Sequence, residues 1–210
     1  MFFFARSPRP FVLVAGLLTA VSLLVPATAA ARTPVDPTTL TPPPPDFFNA
    51  ECNTAAGGVL CTLHFSDDPI VNEPSGVLCG STELLFSQTR SVIGKRTYDA
   101  EGRLLQRHFR EQLAGVLTNP LTGASVPWTQ HDTVIHDLSV PGDLDSGTTK
   151  ITGLSSRFFL PGGGTILIDA GTTVHDASGA LVREGGPHPL VDYFELGDGA
   201  ALQPICDAVD

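Results

Sequence analysis

Two hydrophobic patterns run along this chain. The first is a continuous block, residues 11–25 (FVLVAGLLTAVSLLV), with no charge in it. The second begins further on, where apolar and polar side chains alternate in runs broken by turn-forming residues. Asp99-Ala100-Glu101-Gly102, Asn119 to Gly123, Pro141-Gly142-Asp143, Pro161 to Gly164 and Asp176 to Gly179 are such breaks. Each joins two stretches rich in β-branched and aromatic residues, the spacing of a meander of hairpins. The alternation predicts strands near 59–66, 83–98, 103–118, 124–140, 148–160, 165–175, 180–184 and 190–195. A short helix is expected within 199–209. Residues 103–114 repeat Leu105, Phe109 and Leu113 every four positions, which suits a helix or one face of a strand. Hairpin signals on both sides favour the strand. The predicted fold class is therefore all-β: an antiparallel up-and-down meander closing into a barrel of about eight strands, with a short C-terminal helix.

The continuous block has another meaning. Arg6 and Arg9 precede it, no acid does, and Pro26 and small residues up to Ala31 follow it. A basic start, an apolar run shorter than a bilayer span and an A-x-A exit are the parts of a secretory signal. Residues 1–31 are read as a cleavable signal peptide and the protein as secreted and extracellular. Residues 32–46 contain six prolines and four threonines and read as an extended linker. The folded domain is expected over 47–210.

Charge narrows the choice of partners. The chain has 12 Lys and Arg against 22 Asp and Glu, a net −10. Signal removal takes two arginines and no acid, leaving −12. Nucleic acid is disfavoured, because its affinity comes largely from phosphate neutralisation. Anionic membrane surfaces are disfavoured after signal cleavage for the same reason. No cofactor or calcium-loop motif is present. Cys52, Cys61, Cys79 and Cys206 make an even count without a C-x-x-C pair, which in an exported chain reads as two disulfides. Three connectivities fit the sequence equally.

Strand phase supplies a candidate site. In 83–98 the even positions carry Leu84, Phe86 and Val92, and Arg90 shares their face. In 103–118 Arg107 and Glu111 share the face of Leu105, Phe109 and Leu113. In 124–140 Asp132 and His136 share the face of Val126, Trp128 and Val134. Arg90, Arg107, Glu111, Asp132 and His136 are therefore the candidate ligand-binding residues. They would orient the polar groups of a small molecule against walls made by Phe86, Phe109 and Trp128. Structural ion pairing is the competing role for the same five. His131 and His136 should face opposite sides of one strand and cannot jointly grip a metal. His64, His108 and His175 are expected to be exposed, and His188 to lie in a loop. No G-x-S-x-G or phosphate-loop motif occurs.

The segment Thr118-Asn119-Pro120-Leu121-Thr122-Gly123-Ala124-Ser125 resembles the T-N-P-x-T-G-x-S hairpin of small exported actinomycete proteins. These share the D-x-x-G-R turn, here Asp99 to Arg103, and a C-terminal Cys near a short helix. They are similar to the allene-oxide-cyclase and dirigent type of eight-stranded, calycin-like barrel. The resemblance implies a central cavity. No cyclase catalytic residue maps onto this chain. An isomerase or cyclase using His136 or Glu111 for proton transfer, and a non-enzymatic surface protein, stand as alternatives to a small-molecule binder.

Overall fold

A computed structural model describes residues 32–210; the signal-peptide reading falls on residues 1–31, outside the described residues. Nine strands form one antiparallel sheet: β1 (Asn49–Ala55), β2 (Gly58–Ser66), β3 (Ile70–Cys79), β4 (Thr82–Tyr98), β5 (Leu104–Thr118), β6 (Ser125–Asp137), β7 (Thr148–Phe159), β8 (Thr165–His175) and β9 (Leu181–Gly185). Two short helices follow, α1 (Pro189–Phe194) and α2 (Gln203–Val209). The path of paired strands runs β1-β2-β4-β5-β6-β7-β8-β9. β4 is long enough to serve two neighbours on one edge, end to end. Its second half pairs with β2, its first half with β3, and its other edge with β5 from Leu85 to Tyr98.

The all-β class and the meander from β4 to β9 match the alternation, including a strand across the contested 103–114. Closure does not. The sheet has nine strands and stays open, with no pairing between β3 and β8 or β9. It is nevertheless curled. Val77 of β3 and Leu167 of β8 join one core cluster with Leu84, Leu117, Val126, Trp128 and Phe158. Leu202 and the α2 residues Ile205 and Val209 plug that end. The other end packs Cys52, Cys61, Leu63, Tyr98 and Leu104 around Leu40.

Three more expectations are corrected. Residues 190–195 are not a strand: Pro189 takes the first helical position, where a missing N–H costs nothing, and Leu190 and Tyr193 turn one face to the core. β1 and β3 are strands beyond those predicted. Polar β1 offers only Ala50 and Cys52 to the inside, and Pro74 and Gly76 interrupt β3 with register shifts. Residues 32–46 are no free tether. Val35 N–H donates to the Cys52 carbonyl, Thr41 pairs with Gly102 and Leu104, and Leu40 is buried. The strap lies on the domain, whose compact unit begins at Arg32.

The disulfides are Cys52–Cys61 and Cys79–Cys206. The first joins directly opposed residues of β1 and β2. The second ties α2 to the free edge of β3.

Candidate functional site

Strand pairing places the five candidates on the inner face and sorts them into two groups. Opposite residues on neighbouring strands share a face. Glu111 faces Asp132, and Arg107 faces His136. Arg90 reaches Glu111 with Nη2–H···Oε1 at 2.9 Å, and its guanidinium carbon lies 5.9 Å from the Phe65 ring centre. Asp132 is buried. Its Oδ2 accepts from Gln130 Nε2 at 2.9 Å, while its Oδ1 has no hydrogen-bond partner. Burial above all, with the Glu111 carboxylate opposite, pushes the Asp132 carboxyl up to about 6. Gln130 and Arg90 act against that rise.

The second group lies further along β5 and β6. His136 is buried, and its Nε2 donates to the Ser146 carbonyl at 2.7 Å. Nδ1 is then the acceptor, taking Nε–H of Arg107 at 3.1 Å. His131 lies on the opposite face and is exposed, as the strand phase requires.

The five do not line the described inner pocket. That pocket, about 220 Å³, is walled by Val77, Phe86, Leu117, Trp128, Phe158 and Phe194, with Ser75, Gln130 and Ser156 as its polar groups. Gln130 is the link, since it lines the pocket and holds Asp132. Of the three aromatic walls expected, Phe86 and Trp128 are there, and Phe109 packs instead in the Leu40 cluster. The Trp128 indole N–H is buried without a partner. Gly115 makes room for it, because a β-carbon there would come within 3.0 Å of that nitrogen.

Sequence reasoning missed a second buried polar pair. Asp169 of β8 is 1% exposed and His188, before α1, 5%. Nδ1 of His188 meets Asp169 Oδ1 at 3.1 Å, and Asp169 Oδ2 accepts Leu190 N–H at 2.9 Å. Nε2 of His188 faces the Gly185 carbonyl at 3.2 Å. Both ring nitrogens thus meet acceptors, and Asp169 caps the first turn of α1, docking that helix beside the pocket. Phase gave no help, because apolar Ile168 and Val174 stand on the outer face of β8 while polar Asp169 and Thr173 share the inner one. His175 also differs from expectation: it is partly buried, with Nε2 3.3 Å from Glu195 Oε1. Arg96 was legible but not singled out, since it shares the even parity of Leu84 and Val92.

Among the described residues, no group of three or more His, Cys, Asp or Glu is placed to hold a metal. No helix among them is long and apolar enough to cross a membrane. The chain matches no family model, no curated protein and no solved structure.

Proposed function

We propose that this is an exported binding protein for a small, largely apolar molecule carrying one or two hydrogen-bonding groups. The observation that carries the reading is the inner pocket: five apolar or aromatic walls on the curled sheet, three uncharged polar groups, and a buried indole N–H with no acceptor. Apolar walls supply affinity and a few placed polar groups fix orientation. An unpaired buried donor is costly until a ligand carbonyl or hydroxyl meets it. Export is supported by the N-terminal pattern of residues 1–31 and by two disulfides, which persist in oxidising compartments. The resemblance of the Asn119 hairpin to cavity-bearing barrels points the same way.

Trp128 is the chain's one tryptophan, so its emission reports on the pocket directly. Titration with the uncharged fluorescent apolar probe N-phenyl-1-naphthylamine should quench Trp128 saturably. Ser156→Leu, which fills the pocket, should abolish the quenching while leaving the circular dichroism unchanged. Unsaturable quenching, or equal quenching in the filled variant, refutes the reading. Mass spectrometry of molecules that co-purify with the protein would then identify the ligand class.

A further inference from the structure

At the far end of β6 from the pocket, the inner face carries an excess of positive charge that the fold does not cancel. Arg96 of β4 and Arg107 of β5 are directly opposed residues. Like charges in that position repel. Arg96 is only 3% exposed. Its Nη1–H donates to the Pro43 carbonyl at 3.0 Å, and its Nε–H is buried with no partner. The Tyr98 hydroxyl beside it donates to the Pro42 carbonyl at 3.1 Å. Arg107 is partly exposed and is held by Nδ1 of His136. Every acceptor around the two guanidinium groups is therefore neutral. Among the described residues neither arginine forms an ion pair, although Arg90 and Arg103 both do. Burial, with Arg96 as the neighbouring charge, lowers the Arg107 pKa, so the pair carries a cost that no carboxylate of the fold offsets.

The free donors have a shape. With Nη1 of Arg96 engaged by the strap, its Nε–Nη2 edge remains, the fork that meets two oxygens of a carboxylate or phosphate side by side. His136 Nδ1 takes Nε–H and Nη2–H of Arg107, and Nη1 of Arg107 has no partner among the described residues. We propose that Arg96 and Arg107 form a site for one small oxyanion, a carboxylate or phosphate group, with His136 and the Pro43 carbonyl as positioning groups. The site is separate from the apolar pocket: Trp128 and His136 lie eight residues apart on β6, roughly 26 Å at 3.3 Å per residue. An anion would supply the missing negative charge and accept the orphan Nε–H at once. Entry is from the Arg107 side, since Arg107 is partly exposed whereas Arg96 is buried and bonded to the Pro43 carbonyl.

The test follows the Arg96 Nε–H signal by 15N NMR on the purified protein. Sodium phosphate and sodium acetate are titrated separately against chloride at constant ionic strength. A saturable shift of that signal with phosphate or acetate, and none with chloride, supports the site, and the tighter binder names the group. Arg107→Gln should weaken binding by about 10- to 100-fold, the worth of one charge-assisted hydrogen bond. Should that variant not fold, Arg107→Lys replaces it, keeping the charge and losing the fork, with a smaller loss expected. No saturable shift with either anion overturns the proposal. So does a shift of equal affinity in the Arg107 variant.

Discussion

Asp132 shows how one residue writes the pH response of this protein. Its carboxyl is raised to about 6, chiefly by burial. A folded-state value above the unfolded one means that the native state holds the proton more tightly between about pH 4 and pH 6. The stability this group contributes is thus present in acid and lost as pH rises through 6. The shift corresponds to a loss of up to about 3 kcal/mol. Asp36, Asp99 and Asp176 act with the opposite sign, since backbone or side-chain hydrogen bonds lower their values and their contribution fades in acid. Asp132→Asn isolates the buried group. Urea unfolding at pH 4.5 and pH 7.5 should show the variant's gain over wild type larger by about 1–3 kcal/mol at the higher pH. An equal offset at both pH values would remove Asp132 from the account. Gly115 makes the second argument at this scale. An added β-carbon would lie 2.2 Å from the Ser87 carbonyl oxygen and 3.0 Å from the Trp128 indole nitrogen. Gly115→Ala should therefore cost about 1–3 kcal/mol by overpacking and shift the Trp128 emission. A variant with wild-type stability and spectrum would show that the indole is loosely held.

At the scale of elements, the two disulfides divide the work unequally. Cys79–Cys206 closes a separation of 127 residues and Cys52–Cys61 one of 9. In the chain-entropy account the first restricts the unfolded chain by about 5 kcal/mol and the second by about 2.5 kcal/mol. Replacing each pair by alanines and comparing urea midpoints should reproduce that order; the reverse order would mean that α2 stays docked without its clip. The sequence could show neither pairing, because a disulfide records proximity in space, and α2 reaches β3 only once the sheet has curled. The same limit explains which elements were legible. β4 to β8 read correctly because each carries a strong period of two on a half-buried surface. β3 did not, since Pro74 and Gly76 break its period just where it bends around α1. α1 passed for a strand because six residues are too few for a helical period to show. The candidate site was half legible for a related reason. Strand phase placed Arg90, Arg107, Glu111, Asp132 and His136 on the inner face, yet phase says nothing of position along the strand. That position separates the acidic group, the basic group and the pocket.

For the molecule as a whole, the open seam between β3 and β8 decides how anything enters. A closed barrel would have its interior sealed by backbone pairing. Here the seam is held by side chains. The Leu78 N–H, on the free edge of β3, donates to the Tyr193 hydroxyl at 2.8 Å. Asp169 and His188 fasten the start of α1 to β8, and Cys79–Cys206 fastens α2 to β3. Phe194, 55% exposed, forms the rim of the pocket at this place. A helix of six residues held by a few side-chain bonds belongs to the low-stability end of a fold, whereas the β4–β5 ladder, paired along 14 positions, belongs to the high end. Amide exchange should therefore be fast at Leu78 and slow at Val92 and Leu113. Tyr193→Phe removes the acceptor of Leu78 N–H and should speed its exchange further with little change in global unfolding. Occupation of the pocket should slow it, because a ligand against Phe194 and Val77 holds the seam shut. If Leu78 exchanged as slowly as the β4–β5 ladder, the seam would open only with the whole fold, and entry beside α1 would be excluded.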